Sequence, residues 1–344
     1  MRCRHLESED QAASATTTSD LFGMDASPLA SANTPFDESP NVAAIKRPVG
    51  RPAVNWSTRD KSSQERDLFE LSLEIEQRNA QEAGNKGFIA TAMIYASLPH
   101  SAIEGAFFKR KSNTHTLTIL NDPDIGLPYG KLPRVMTAFL CTEAKLRGER
   151  KIFLGRSQAE FANKLGLSRG GGQRGDITRL KDQCKRLFTS HINLVGLPND
   201  AFHWRNVNIS DKGMLLWNPH DPHDPSPWES WLDLSEPFFN ECIDHAVPIE
   251  MDIIHQLRSP LAIDIYIWLT YRYNSISRPT PVTWKQLKWQ FGANYADTEA
   301  GLSAFTYNFK KQLRVVAAAY PAAKFMIDPT RFTLLPSKTH VAPS

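Results

Sequence analysis

The sequence predicts an α+β fold in which two similar units follow a disordered N-terminal tail. Three observations support this prediction. A pair of short helices lies between Gly155 and Phe188, β runs flank that pair, and the same pattern returns about 125 residues later. The chain of 344 residues is long enough for two domains of ordinary size, each with its own core.

Charge is distributed unevenly along the chain. The formal net charge is only +3, but residues 1–44 contain two arginines and seven acidic residues. The tail is therefore acidic, and the remainder has a clear excess of positive charge. A basic body behind an acidic tail is compatible with binding to nucleic acid, although charge alone does not establish it.

The cysteines and the apolar runs exclude several classes of protein. Cys3, Cys141, Cys184 and Cys242 are far apart and form no CxxC pair, so neither a zinc site nor any other cofactor is predicted. Cys141 and Cys184 fall on apolar helix faces, where buried free thiols are common. No run approaches the roughly 18–20 apolar residues of a membrane span, and no signal peptide is evident, so we expect a cytoplasmic protein without a membrane partner.

Residues 1–66 are predicted to be a disordered acidic and polar tail that contains a basic linker. The linker at 46–52 contains the Gly-Arg-Pro core of a minor-groove AT-hook, but one such match is a weak signal, and a plain basic linker is the favoured interpretation. From Asp67 a helical pattern runs to about Ala80.

The first unit is predicted to span residues 67–217, with its folded part beginning near Phe88. Two runs of alternating residues within Phe107–Leu120 flank a turn, and this pattern predicts a β-hairpin. A helix of about 15 residues then starts at Leu132, and Lys151–Leu154 is a short strand.

The helix pair follows this strand. Ser157 is a candidate N-cap with Glu160 three residues later, and Gly166 is suited to a left-handed C-cap. A second, basic helix starts near Asp176. The helix pair is typical of a helix-turn-helix DNA reader, although a helical hairpin with a solvated basic face would give the same pattern. The candidate DNA-contacting residues are Arg169, Arg174, Thr178, Arg179, Lys185 and Arg186.

Residues 192–217 contain short β runs, with predicted turns at Pro198-Asn199 and at Asp211–Gly213. Helix, strand, helix, helix and β-ribbon is the order of a winged helix. The sequence therefore predicts an N-terminal winged-helix domain.

A proline-rich connection is predicted at 218–234, between the two units. Its repeated His-Asp-Pro pattern includes four possible metal ligands, namely His220, Asp221, His223 and Asp224. A linker is the simpler interpretation because no further ligand cluster accompanies them.

The second unit is predicted to span 235–337, followed by a tail at 338–344. Thr283 and Gly292 repeat the cap-to-glycine spacing of nine that separates Ser157 from Gly166. A hairpin with its turn at Asp328-Pro329 occupies the position of a second wing. The sequence thus predicts two tandem winged-helix domains related by an internal repeat. The candidate DNA-contacting residues of the second unit are Tyr307, Lys310, Lys311 and Arg314.

Three blocks of this sequence resemble the plasmid-encoded RepA replication initiator family. They are LPYGKLPRVMTAFLCTEA (127–144), LGRSQAEFANKLGL (154–167) and GGQRGDITRLKDQCKRLF (171–188). The resemblance covers about residues 90–335 and implies a bacterial initiator that binds iteron repeats at a plasmid origin. It further implies a C-terminal unit that reads the major groove, and an N-terminal unit that contributes backbone contacts and dimerisation.

The same resemblance implies the partners. They are double-stranded DNA, as origin iterons and as the protein's own operator, together with host initiator and helicase-loading proteins. It also implies a monomer–dimer equilibrium and repression of the protein's own promoter.

Two other functions remain to be distinguished. A winged-helix transcriptional regulator would share every DNA-binding feature, and only origin activity would separate the two. A rolling-circle nicking enzyme would need a tyrosine and a metal held by a His-hydrophobic-His motif, and this motif is absent from the sequence. No phosphate-binding P-loop follows Gly170–Gly172, so no ATPase activity and no catalytic residue is predicted.

Overall fold

The structure is a computed structural model that describes residues 62–77, 86–112, 115–167, 176–196, 203–218, 220–221 and 223–341. Most of the predicted tail therefore lies outside the described residues, as does the Pro198-Asn199 turn. The helices are α1 (Ser63–Gln77), α2 (Thr91–Tyr95), α3 (Lys131–Arg147), α4 (Gln158–Lys164), α5 (Asp176–Phe188), α6 (Glu236–Asp244), α7 (Met251–Gln256), α8 (Pro260–Tyr273), α9 (Trp284–Phe291) and α10 (Glu299–Ala319).

All strand pairings in the described residues are antiparallel. The strands are β1 (Lys86–Ala90), β2 (Phe107–Lys111), β3 (His115–Leu120), β4 (Lys151–Gly155), β5 (His191–Gly196), β6 (His203–Asn206), β7 (Ser210–Met214), β8 (Ser230–Leu234), β9 (Ala246–Glu250), β10 (Thr280–Thr283), β11 (Phe325–Ile327) and β12 (Arg331–Leu334).

The two units repeat one topology. The first contains α3, β4, α4, α5 and the pair β7–β8, and its sheet has the order β4-β8-β7. The second contains α8, β10, α9, α10 and the pair β11–β12, and its sheet has the order β10-β12-β11. In both units a strand precedes the helix pair, and the last strand of the following hairpin lies at the centre of the sheet. The element order confirms the internal repeat that the spacing predicts.

The first unit has an additional four-stranded sheet in the order β2-β3-β5-β6. The predicted hairpin at Phe107–Leu120 is confirmed as β2 and β3, with Phe107 opposite Leu120. Buried Leu117, Ile119, Ile192 and Leu194 line the inner face of this sheet. Phe107, Leu120 and Trp204 remain exposed on the outer face.

The two units are packed against each other. Strand β1 pairs with β9, so the start of the first unit is joined to the segment that leads into the second. Helices α2 and α3 contact α8. At this contact Arg134 of α3 binds Asp264 of α8, and both side chains are largely removed from water.

The predicted proline-rich connection at 218–234 is wrong. Residues 230–234 form β8, the central strand of the first unit's sheet, and β8 pairs with β7 on one side and β4 on the other. The proline-rich stretch therefore belongs to the β7–β8 hairpin connection and lies within the first unit. The predicted turn at Asp211–Gly213 is also wrong, because these residues belong to strand β7.

Both predicted tails are shorter than expected. Helix α1 begins at Ser63, inside the segment predicted to be disordered, and its Leu68 is fully buried. At the other end, the ring of His340 lies 4.5 Å from that of Tyr320, and its Nδ1 is 2.9 Å from the Tyr266 hydroxyl. The chain therefore packs onto the second unit as far as Val341, which is buried.

Candidate nucleic-acid interface

Helix α4 begins and ends as the sequence predicts. The Ser157 hydroxyl accepts a hydrogen bond from the Glu160 backbone N–H at 3.1 Å. The Glu160 carboxylate accepts from the Arg156 backbone N–H at 2.8 Å, so both groups satisfy amides at the start of the helix. Gly166 adopts the left-handed conformation with φ of 63°.

The turn after α4 is a Schellman motif. The Leu167 N–H donates to the Ala162 carbonyl at 2.9 Å, and the Gly166 N–H donates to the Asn163 carbonyl at 3.0 Å. A Cβ at Gly166 would lie 2.5 Å from the His255 ring of α7. Glycine is therefore required both by the backbone conformation and by the close approach of the second unit.

Helix α5 presents one apolar face to the core. Leu180, Cys184 and Leu187 are fully buried, at spacings of four and three. Gln183 is also fully buried, and its Oε1 accepts a hydrogen bond from the Tyr129 N–H at 3.0 Å. The loop that precedes α3 therefore fixes one side of α5.

The basic residues of α5 occupy different environments. Arg179 and Lys185 are exposed. Arg186 is half-buried. Its Nε lies 2.8 Å from the Asp182 carboxylate, and its Nη1 donates to the Leu127 carbonyl at 3.3 Å. The structure therefore places Arg179 and Lys185 where DNA can reach them, whereas Arg186 binds the loop before α3.

Arg169 and Arg174 lie outside the described residues, as does the side chain of Thr178. Their predicted contact with DNA therefore stays a prediction. Lys181, which the sequence did not single out, is half-buried and donates to the Trp217 carbonyl at 2.9 Å. Desolvation, together with the nearby Lys185 charge, lowers the pKa of Lys181 below its ordinary value.

Both helices of the second unit's pair, α9 and α10, have side-chain N-caps. Thr283 and Gln286 form a complete capping box at the start of α9. The Thr298 hydroxyl accepts from the Gly301 N–H at 3.1 Å at the start of α10. A Cβ at Gly301 would lie 2.0 Å from the Ala296 carbonyl oxygen, so only glycine allows the turn to approach the helix so closely.

The outer face of α10 carries the predicted reader residues, and three of them are accessible to different extents. Tyr307 is 75% exposed, and Lys311 is exposed. Lys310 is half-buried, with its Nζ 4.9 Å above the centre of the Trp284 ring. The opposite face is core, where Phe305, Phe309 and Leu313 are fully buried. The middle of α10 therefore presents an aromatic and basic surface on a helix whose opposite face is packed in the core.

Arg314 differs from the other three residues. Its Nε lies 2.8 Å from Oε1 of Glu65, a buried residue of α1, and α1 packs along α10. The expectation that Arg314 shares an open face with Tyr307 is wrong, because an acidic helix from the N-terminal segment binds it. The periodicity of this segment predicts a helix, but it carries no signal of where the helix docks.

The hairpins β7–β8 and β11–β12, which occupy corresponding positions in the two units, have different surfaces. Residues 215–229, which connect β7 to β8, contain no lysine or arginine but include three acidic residues. Trp228 in this connection is 73% exposed. The β11–β12 turn is short, and the Asp328 carboxylate accepts from the Thr330 and Arg331 N–H groups at 2.8 and 2.9 Å.

Within the part of the chain that the structure describes, no three His, Cys, Asp or Glu side chains are grouped so that they could hold a metal ion. His220, Asp221, His223 and Asp224 therefore do not form such a group. Cys141, Cys184 and Cys242 are free and buried, as predicted for the first two. None of the described helices combines the length and apolar character needed to cross a membrane.

Comparison with known proteins relates the central part of the chain, in both units, to a described family. Residues 127–289 match the family described as "Plasmid encoded RepA protein", a segment that runs from the loop before α3 into α9. None of the curated protein sequences matches this chain. Among solved structures, the crystal structure of domains 2 and 3 of RctB aligns with a TM-score of 0.45 and 11% sequence identity. The alignment covers 72% of this chain and 97% of that chain.

Proposed function

Since residues 127–289 belong to the plasmid-encoded RepA family, we propose that this protein initiates plasmid replication by binding repeated sites, iterons, at the origin. The match to this family is the observation that carries the proposal. The matched segment includes the capped helix pair α4–α5 of the first unit and most of α9, the first helix of the second pair, and it ends before α10.

We further propose that both units are winged helices. The support is their shared element order and their shared strand order, with the last strand between the other two. In such a domain the second helix of the pair lies against the major groove. The helix in this position is α5 in the first unit and α10 in the second.

The two units would contribute differently to binding. The outer face of α10 offers Tyr307 and Lys311 without an acidic residue on the same helix after Glu299. On α5, Asp182 lies among the basic residues and is exposed, so it would repel a phosphate placed against it. We therefore assign base reading to α10 and backbone contact, which sets register but carries little sequence information, to α5.

Titration of two duplexes at one stated salt concentration tests this assignment. One duplex carries any direct repeat present in the DNA that flanks the coding region, and the other has a random sequence. Lys311→Ala and Tyr307→Ala should weaken binding to the repeat duplex. A lost base contact would cost about 1–3 kcal/mol, whereas a lost phosphate contact would lower the salt slope by about one. Lys109→Ala, on the outer face of β2, is the matched control and should leave both titrations unchanged.

Origin activity separates an initiator from a transcriptional regulator with the same fold. A plasmid that carries the flanking repeats but lacks its own initiator should replicate only when this protein is supplied in trans. Binding to the repeats without replication would favour the regulator. Recruitment of host initiator and helicase-loading proteins, autorepression and a monomer–dimer equilibrium remain parts of this proposal.

We also propose that the protein acts without catalysing a chemical step. Tyr307 is exposed, but its position on the outer face of α10 is explained by DNA reading. Incubation of a supercoiled plasmid bearing the repeats with protein and a divalent cation should leave the plasmid closed. A nicked product that disappears in Tyr307→Phe would contradict this.

A further inference from the structure

Helix α1 covers one end of the surface that we assign to DNA, and the following inference rests on that assignment. Tyr307, Lys311, Arg314 and Ala318 form one stripe along α10, at spacings of four, three and four. Exposure decreases along this stripe: Tyr307 is 75% exposed, Arg314 31% and Ala318 8%. Side-chain exposure thus falls toward the C-terminal end of α10, where α1 binds Arg314.

The contact between the two helices centres on Glu65, whose two carboxylate oxygens have separate roles. Oε2 accepts a hydrogen bond from the Ser62 N–H at 2.6 Å, and the Ser62 hydroxyl accepts from the Glu65 N–H at 3.3 Å, which together cap α1. Oε1 lies 2.8 Å from the Arg314 Nε. Glu65 is only 7% exposed and Arg314 is 31% exposed, so the carboxylate of this ion pair is shielded from solvent while the guanidinium is half-buried.

The remainder of the α1 surface is strongly acidic. Ser63–Gln77 contains five acidic residues and one arginine. Asp67 and Glu70 are exposed within two turns of Glu65. Arg314 lies one helical turn from Lys311, a separation of about 5–6 Å between Cβ atoms. The start of α1 therefore lies within about one Debye length of the reader residues, close enough to oppose a phosphate backbone.

A hydrogen bond to α7 also fixes the position of the N-terminal end of α1. The Gln64 Nε2 donates to the Gln256 carbonyl of α7 at 3.1 Å, and Leu68 is fully buried beneath the helix. The acidic helix is thus held beside the reader helix by specific contacts, and not merely by its charge.

From this geometry we propose that α1 is an autoinhibitory helix. It withdraws Arg314 from DNA and places negative charge beside Lys311, so the protein binds DNA less tightly while α1 is docked. A change that releases Arg314 would add a basic residue to the stripe formed by Tyr307 and Lys311. Any DNA would benefit, because a phosphate contact does not depend on sequence.

The test is Glu65→Gln in the full chain, titrated with a fluorescent random-sequence duplex of about 30 base pairs. Glutamine retains an oxygen that can accept from the Ser62 N–H, so α1 stays capped while the ion pair is lost. Affinity should increase about three- to tenfold near 100 mM salt, and the salt slope should become steeper by about one. Arg314→Ala alone should change affinity by less than about twofold, and adding it to Glu65→Gln should abolish the gain.

Glu143→Gln is the matched control. Glu143 pairs with Arg147 at 2.8 Å within α3, so this variant also removes one acid and releases one arginine, but on the first unit. Its affinity should equal that of the wild type. Equal gains in Glu143→Gln and Glu65→Gln would show a net-charge effect and would overturn the inference.

Failure of this inference can be distinguished from failure of the proposed function. If Lys311→Ala weakens duplex binding but Glu65→Gln binds as the wild type does, α10 reads DNA and α1 does not inhibit it. If Lys311→Ala, Tyr307→Ala and Glu65→Gln all bind as the wild type does, α10 is not the DNA surface, and both proposals fail.

Discussion

Arg134 and Asp264 form a two-pronged buried ion pair that joins α3 of the first unit to α8 of the second. The Arg134 Nε lies 2.6 Å from Oδ1, and its Nη2 donates to Oδ2 at 2.8 Å. Asp264 also accepts from the Ser97 hydroxyl at 2.7 Å and lies 2.8 Å from the His100 Nε2. Burial alone would raise the pKa of Asp264, but the Arg134 charge and these hydrogen bonds hold it well below its ordinary value.

We expect Asp264→Asn to destabilise the protein by about 3–5 kcal/mol, because the variant leaves the buried Arg134 charge without a counterion. The arginine cannot turn to water, since its Nη atoms also donate to the carbonyls of Leu98 and Gly130. Urea unfolding measures the change. Glu143→Gln removes a more exposed partner and should cost less than about 1 kcal/mol. A similar small cost for Asp264→Asn would show that the pair contributes little to stability.

Local signals predict the helix pairs and their caps because these structures depend on neighbouring residues. Ser157, Thr283 and Gly166 each act within about four positions, and the structure places each in its predicted role. The repeat could be predicted for the same reason, since the core positions Leu180 and Phe305 are separated by the repeat distance of 125.

Features that depend on distant partners could not be predicted. The stretch at 218–227 contains many prolines, which suggests a linker, but β8 beyond it pairs with β4, about eighty residues earlier in the chain. Glu65 and Arg314 are likewise separated by nearly the whole folded chain, so no periodicity connects them. Helical geometry correctly places Arg314 on the outer side of α10, but it cannot show that another helix covers that side.

The two arginines of α5 should respond differently to replacement. Arg179 is exposed, so Arg179→Ala should weaken binding to repeat and random duplexes by similar factors and lower the salt slope by about one. Arg186 binds Asp182 and the Leu127 carbonyl, so Arg186→Ala should reduce the melting temperature while DNA affinity changes little. Duplex titration and thermal unfolding of both variants test this. A specific loss of repeat binding in Arg179→Ala would make α5 a base reader.

The β7–β8 connection should not contribute to DNA affinity. It has no positive side chain to bind phosphate, and Asp221 and Asp224 would repel DNA. Trp228→Ala, which removes an aromatic side chain that is 73% exposed in this connection, should therefore leave the affinity for both duplexes within about twofold of the wild type. Lys311→Ala serves as the positive control in the same titration. A larger loss in Trp228→Ala would indicate that the tryptophan contacts DNA directly.

Acid should destabilise the second unit through His340. Burial lowers the pKa of His340 to about 4, from an ordinary value near 6.5. The folded state therefore keeps this ring neutral while the unfolded state takes up a proton as the pH falls below about 6.5. Its contribution to stability is complete above that pH and is progressively lost down to about pH 4.

Between pH 7 and pH 5 this single group should reduce the free energy of unfolding by about 2 kcal/mol. His340→Gln cannot titrate, so it should lower stability at pH 7, through loss of the contact with the Tyr320 ring, but should flatten the dependence on pH. Urea unfolding at both pH values measures the two effects separately. If His340→Gln keeps the full wild-type slope, the acid sensitivity arises from other groups, such as the half-buried His115, whose pKa is also lowered by desolvation to about 4.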